Sequence, residues 1–473
     1  MLLIAAALLT ASMHSLGVVE APVAPAVQSV AAPTTSTRLV DDRSVRPSVR
    51  PVVDDAPARP SVRPVVRPVV TGVQMTAEDL AGAHGRTFLL DLSRLDRSAL
   101  TRAASDRRVL ATAQDDPPSA ADVTTWWAGL GVDERGRLES AAPAVVGNLE
   151  GVPYDVRDRA NRSVLAAGLA DPSVGAARTA MLGQVEQSLV HDPGAPRRNL
   201  VTLDLRGSGR AAIAIGDLDT AADVTVVVPG MFFTVTGQMT DFTNTANDLY
   251  SEQATLAGVA APAPGSGVAV IAWMGYRTPD LSNILSLGLA KTGAERLERA
   301  VDGLRQVRDG EEPRVNVVAH SYGSTTALMA LSSGRMSADS LTVLGSPGSD
   351  VQTSSELSVG AGQVFVGDAH SDPIAGSGYF GTDPGSSAFG STVLDLAGGL
   401  DVQDAGDVFR RPVGHNDYLK PGTASLHDVA LIAVGRGDLV REQLRRGEGG
   451  KDGVPQTSPD MYLVRPQDLH PRD

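Results

Sequence analysis

A chain of 473 residues with no cysteine and a formal net charge of −14 excludes a disulfide framework, a thiol nucleophile and a cysteine-ligated metal, and its acidity argues against a nucleic-acid surface. With 42% apolar and 4% aromatic residues the composition is that of a globular protein with an ample core, and the length calls for two folded regions plus a tail. The one local excess of cations, seven Arg against four Asp in residues 38–70, is diluted by proline and reads as a solvated tether.

At the start of the chain, Leu2 to Leu9 is an uncharged apolar run followed by small residues and by Ala24-Pro25-Ala26, an A-x-A-like cleavage site. Residues 1–26 therefore read as a signal peptide or N-terminal anchor, although the usual basic residues ahead of the apolar run are missing. The expectation is a secreted or cell-envelope-associated protein, touching the membrane through its N-terminus; if the run is not a signal, the protein is cytoplasmic. Residues 27–75 form a Pro/Val/Arg-rich linker, in which Pro47-Ser48-Val49-Arg50-Pro51-Val52-Val53 recurs as Pro60-Ser61-Val62-Arg63-Pro64-Val65-Val66. Proline at that density removes backbone donors and favours extended, disordered chain without catalytic groups. From 76 to 198 the apolar spacing becomes helical, with runs at Asp122 to Leu130, Asp133 to Ala141 and Val156 to Ala170. No later segment approaches ~18 uninterrupted apolar residues, so the body of the chain should be soluble.

Between 199 and 447 the rhythm is that of an α/β domain. A leading hairpin, Val201 to Leu205 and Ala211 to Ile215, turns at Gly207-Ser208-Gly209. Short apolar strands at Val224 to Val228, Val268 to Trp273, Val315 to Ala319, Leu341 to Leu344 and Val364 to Val366 then alternate with helices near Phe242 to Ala257, Ala294 to Val307 and Ser324 to Leu331. Thr292 with Glu295 forms a capping box for the second of these helices. The pattern predicts a mostly parallel sheet with helices on both faces; strands covered on two sides are apolar throughout, with Asn316 and Thr225 as exceptions. Residues 448–473 are a polar tail.

The chemistry concentrates at Val315-Asn316-Val317-Val318-Ala319-His320-Ser321-Tyr322-Gly323. A valine-rich strand ends in a serine with small residues two positions away on either side, the G-x-S-x-G elbow of an α/β-hydrolase with alanine in place of the first glycine. The tightness of that turn admits only small side chains at those positions, and Ser321 is the candidate nucleophile. A serine hydroxyl needs a base, and the base needs a carboxylate that fixes its tautomer; in this fold they follow in the order Ser, acid, His. Two carboxylates compete after the strand Val364 to Val366. Asp368 stands at the strand end and Asp372 a short loop later before Pro373; Asp372 is preferred because it can reach sideways to a histidine. Of the later histidines, His415 lies in a loop just before a helix and is preferred as base over His427, read as a surface position of that helix, and over His470 near the terminus. The backbone N–H of Tyr322 supplies one oxyanion donor, and the loop Pro229-Gly230-Met231-Phe232-Phe233 the second, with Met231 favoured over Phe232. His320 should pack beneath the elbow. His370 and Asp372 lack a third ligand at sensible spacing, and no P-loop or strand-borne G-x-G-x-x-G occurs, so neither a metal nor a nucleotide cofactor is expected.

Beyond the elbow, Trp127-Ala128-Gly129-Leu130, Gly147-Asn148-Leu149-Glu150-Gly151-Val152-Pro153 and Arg157-Asp158-Arg159-Ala160-Asn161-Arg162 precede Val228-Pro229-Gly230, Ala272-Trp273-Met274-Gly275-Tyr276, Gly345-Ser346-Pro347-Gly348, Asp372-Pro373-Ile374 and Gly414-His415. From about Trp126 to Val434 this series of blocks resembles the uncharacterised α/β-hydrolase family of high-G+C Gram-positive bacteria, from which the chain departs at Ala319 and at Met231-Phe232-Phe233. The resemblance implies a serine hydrolase of unassigned substrate. The interval from Leu344 to Val364 is too short for a large cap domain, so Leu281 to Leu289, Gly376 to Gly414 or the N-terminal helices must cover the pocket. Met231, Phe232, Phe233, Trp273 and Tyr276 are placed near the strand ends, which points to a small-molecule or lipid acyl substrate. Two other readings use the same residues: a catalytically silent fold serving as a binding or secretion-linked module, and an acyltransferase with the same triad.

Overall fold

The computed structural model describes residues 76–258, 267–400 and 408–443. The expected signal or anchor, the Pro/Arg-rich linker, the polar tail and His470 lie outside these residues. No helix among the described residues is long and apolar enough to cross a membrane.

The hairpin forms as expected, β1 (Arg198–Asp204) antiparallel to β2 (Arg210–Gly216). It joins β3 (Asp223–Val228), β4 (Val268–Met274), β5 (Arg314–His320), β6 (Ser340–Leu344), β7 (Val364–Gly367) and β8 (Thr392–Val393) in one eight-stranded sheet of order β1-β2-β4-β3-β5-β6-β7-β8. β2 runs antiparallel to β4, and every pair from β4 to β8 is parallel. Helices α1 (Tyr154–Ala170), α2 (Ala176–Ser188), α3 (Val235–Leu256), α4 (Gly288–Val307), α5 (Tyr322–Ser332) and α6 (Ala424–Ala433) surround it. Leu297, Val301 and Leu304 of α4 and Leu328 and Leu331 of α5 pack on one face; Met181 and Leu182 of α2, Met239, Phe242 and Leu249 of α3 and Val429 of α6 pack on the other. Burial on both faces is why β3, β4 and β5 are apolar between their end residues except at Thr225 and Asn316. The two exceptions are satisfied. Thr225 bonds Gln253 of α3, and Asn316 donates to the Ala433 carbonyl at 2.7 Å while accepting from Ser340 at 2.7 Å, which ties the end of α6 to the sheet.

The helices before α1 enclose an apolar core of their own, including Leu80, Phe88, Leu100, Trp127, Leu138 and Leu149. Their connection to the sheet explains the blocks around Asn148 and Arg157. β1 is an edge strand, and the side chain of Asn148 both donates to the Leu203 carbonyl and accepts from the Leu203 N–H, each at 3.0 Å, in the manner of a neighbouring strand. Asp158 accepts from the Leu200 N–H at 2.7 Å, and Asn161 donates to the Leu200 carbonyl at 3.0 Å. Buried backbone groups left unpaired would cost about 1–3 kcal/mol each, so these polar side chains close the sheet where another chain could otherwise add. Arg157, 1% exposed, pairs with Glu150 beside them.

Two helix starts differ from expectation. α4 begins at Gly288, so Thr292 lies a turn inside it and donates to the Gly288 carbonyl instead of capping. α3 begins at Val235, where Thr234 accepts from the Gly237 N–H.

Candidate active site

β3 lies between β4 and β5, so successive crossovers leave it in opposite directions and open a crevice at the carboxyl ends of β3 and β5. Gly230 follows the first strand and Ser321 the second. Ser321 adopts φ 55° and ψ −130°, a conformation a side chain normally avoids, and its N–H is held by the Leu344 carbonyl at 2.9 Å. The demand for small neighbours has identifiable causes. A Cβ on Gly323 would lie 2.6 Å from the carbonyl oxygens of Val228 and Pro229, and one on Gly230 would lie 2.7 Å from the Ser321 Cβ. Ala319 is fully buried in the sheet core, where a methyl group fits.

Ser321, His415 and Asp372 meet at this crevice although 94 residues separate the first two and 43 the last two. His415 Nε2 is 2.8 Å from Ser321 Oγ, and His415 Nδ1 is 2.9 Å from both carboxylate oxygens of Asp372. All three side chains are buried. The Ser321 hydroxyl can donate to Nε2 only if the proton of His415 sits on Nδ1, and Asp372 is the acceptor that holds it there. Burial alone would raise the Asp372 pKa, but hydrogen bonds from His415, the Tyr418 hydroxyl at 2.6 Å and the Ile374 N–H at 2.8 Å hold it below the ordinary carboxylate value.

Of the candidate oxyanion donors, the N–H of Phe232 is occupied by the Pro279 carbonyl at 3.0 Å. Among the described residues the N–H groups of Met231 and Tyr322 donate no hydrogen bond, and they flank Ser321, one following Gly230 and the other following Ser321 itself. Phe232 shares with Ser321 a positive φ, 64°, outside the glycines.

The alternatives to Asp372 and His415 are placed elsewhere. Asp368 lies against Gly385, and His427, buried rather than on the surface as expected, binds Glu252 at 2.8 Å and stacks on Phe409. Of the three segments weighed as cover, Leu281 to Leu289 and Gly376 to Gly414 make contacts to the elbow. The Tyr322 hydroxyl donates to the Ser286 carbonyl at 2.7 Å and accepts from the Ala290 N–H, and Phe380 packs edge-on against the Tyr322 ring. Tyr276 donates to the Pro229 carbonyl at 2.7 Å, beneath the Met231 loop. Trp273 is less directly involved, stacking on Tyr276 at the side facing the N-terminal helices.

Two contributors, Tyr418 and Gly345, were not legible in the sequence, and a third, His320, was expected to pack beneath the elbow but without its contact to His415. Tyr418 fixes Asp372 from below and accepts the Ala369 N–H at 2.8 Å. Gly345, φ 58°, leaves the space the relay occupies, since a Cβ there would lie 2.5 Å from Asp372 Oδ2 and 3.0 Å from His415 Nδ1. His320 is packed beside the relay, its ring centroid 4.6 Å from that of His415, and its Nε2–H donates to the His415 carbonyl at 2.6 Å. Burial, with the neighbouring His415, pushes the His320 imidazole down to about 3, so it stays neutral and orients the loop without adding charge. For Tyr418 the signal within reach of sequence reasoning was the spacing His415-Asn416-Asp417-Tyr418, which puts a phenol three residues from the base.

A sequence model described as alpha/beta hydrolase matches residues 204–382, a span that includes Ser321 and Asp372 and ends before His415. An uncharacterized protein of Mycobacterium tuberculosis H37Rv is 32% identical over 385 residues, covering 69% of this chain; the chain in turn spans 58% of that relative's length. An uncharacterized protein of Mycobacterium bovis is 31% identical over 207 residues, 43% of this chain and 76% of its own. Among solved structures, a dienelactone hydrolase from Anabaena variabilis aligns with TM-score 0.31 and 14% identity over 52% of this chain and 100% of its own, and carboxyl esterase 2 of Tuber melanosporum with TM-score 0.29 and 12% identity over 59% and 98%.

Proposed function

Because this chain belongs to the uncharacterised α/β-hydrolase family of high-G+C Gram-positive bacteria, we propose that it is a serine hydrolase that cleaves an ester or related acyl substrate through an acyl-enzyme. The observation that carries this reading is the continuous hydrogen-bonded relay from Ser321 through His415 to Asp372, beside two unengaged backbone N–H groups. In the reaction, His415 Nε2 takes the hydroxyl proton as Ser321 Oγ bonds to the substrate carbonyl carbon. The carbonyl oxygen becomes an oxyanion that accepts from the N–H groups of Met231 and Tyr322, while Asp372 stabilises the imidazolium. The intermediate collapses, the carbon–oxygen bond to the leaving alcohol breaks, and His415 returns the proton to that oxygen. Water, deprotonated by His415, then attacks the acyl-enzyme, releasing the acid and restoring Ser321.

The surroundings favour an apolar acyl group. Leu281 and Leu285, 49% and 55% exposed, sit on the segment tied to Tyr322, while Tyr379, 47% exposed, precedes Phe380, and Val413, 65% exposed, precedes His415 by two residues. Exposed apolar side chains gathered on the segments nearest a nucleophile fit a fatty acyl chain better than a charged one. A nitrophenyl ester series from two to twelve acyl carbons, with the corresponding nitroanilides, tests the reading. Ester turnover that improves with chain length is expected, with anilides inert. A folded sample that turns over no ester would favour the silent scaffold, and products formed with an added acceptor alcohol would favour acyl transfer.

A further inference from the structure

Between the N-terminal helices and the β1–β2 side of the sheet lies a second cavity of about 60 Å³ that the Ser321 chemistry does not use. Three guanidinium-bearing side chains line it from two elements, Arg210 at the start of β2 and Arg296 and Arg299 on α4, together with one carboxylate, Glu150, and with Gln114, Thr202 and Trp273. At roughly 15 Å³ per water-sized sphere, that is space for about four waters or one small oxyanion.

The nearby carboxylates are already engaged. Asp115 accepts from Arg206 at 2.8 Å, from Arg210 at 3.3 Å and from Arg296 at 2.8 Å. Asp204 takes Arg206 at 2.9 Å and also Arg210, and Glu150 takes Arg157 at 2.9 Å. Arg299 is different: among the described residues it makes no hydrogen bond and no ion pair within 4.0 Å, and Glu295, one turn back on α4, Glu150 and Asp115 act on it only through space. Of these five guanidinium groups Arg299 alone has no direct carboxylate contact, and it lines the cavity. Desolvation, opposed by Glu295, Glu150 and Asp115 and aided by the charge of Arg210, leaves the Arg299 guanidinium below its ordinary pKa.

We propose that this cavity binds a phosphate-type oxyanion, either free or as the phosphoryl group of a larger ligand, with Arg299 as its principal contact and Arg296 and Arg210 beside it. Guanidinium forks arriving from separate elements suit the divergent oxygens of a tetrahedral anion better than a planar carboxylate, which one fork would saturate.

The test uses the full chain. Inorganic phosphate is titrated at constant ionic strength, with binding followed by calorimetry and the midpoint of thermal unfolding, for the wild type, Arg299→Gln and the exposed-site control Arg102→Gln. The wild type and the control should bind saturably with a rising midpoint. Arg299→Gln should weaken the phosphate dissociation constant roughly tenfold or more, while its midpoint in phosphate-free buffer should be equal to or above that of the wild type, because an unpaired cation has been removed. A phosphomonoester such as glycerol phosphate separates the two sources: tighter binding than inorganic phosphate points to a phosphorylated ligand, equal or weaker binding to the free ion. The proposal is overturned if Arg299→Gln responds to phosphate as the wild type does, or if it loses stability without phosphate, which would make Arg299 a structural cation.

Discussion

Replacing Ser321 with alanine lowers kcat/KM for a nitrophenyl ester by on the order of 10⁴ to 10⁶-fold, to the residual rate that oxyanion donors and binding alone sustain. The size follows from the relay: without Oγ there is no covalent intermediate, and His415 has no proton to remove. The variant separates chemistry from folding. Alanine keeps a Cβ in the same unfavourable backbone conformation, φ 55° and ψ −130°, so its stability should stay near that of the wild type. Ser321→Gly removes both the nucleophile and the strain and should be more stable than Ser321→Ala by roughly 1 kcal/mol, measured by urea unfolding. A glycine variant no more stable than alanine would mean that the elbow stores no strain in the folded chain.

Asp372→Asn should cost about 10³ to 10⁴-fold in kcat with little change in KM. The asparagine amide can donate where the carboxylate only accepts, and a donor facing Nδ1 drives the His415 proton to Nε2, the atom that must receive the Ser321 proton. The same variant carries a pH signature. Asp372 is held below its ordinary value of 3.8 by the hydrogen bonds from His415, Tyr418 and Ile374, which outweigh burial. A carboxylate depressed in the folded state contributes stability that is complete above about pH 4 and is lost as pH falls through the folded value. The wild type should therefore lose stability more steeply than Asp372→Asn below pH 4. Parallel acid-unfolding curves would show that the carboxylate is not held as the geometry implies.

How much of this was legible in the sequence depended on the range of the interaction. The elbow was, because its constraint is local: small residues at 319 and 323 around a serine at the end of a valine strand. The order Ser321, Asp372, His415 was legible because a parallel sheet places successive strand ends along one edge, and that edge is where the structure brings them together. The blocks around Asn148 and Asp158 marked something specific, but their role in closing the edge of β1 rests on a register between residues 39 to 55 apart, which no periodicity reports. Helix starts were misplaced where the first turns were polar, as in Val235 to Asp241, or where no side chain caps the end, as at Leu287. Tyr418 and Gly345, and the His320 contact to the His415 carbonyl, serve through atomic proximity to side chains from other segments, which no local pattern reports.

Whether Ser321 is a nucleophile activated by His415 is tested by the mass of the full chain after reaction with a fluorophosphonate, followed by peptide mapping, in the wild type, His415→Ala and His427→Ala. One adduct per chain is expected, on Ser321, retained in His427→Ala and lost or slowed by orders of magnitude in His415→Ala. An adduct on another residue, or equal labelling without His415, would contradict that assignment.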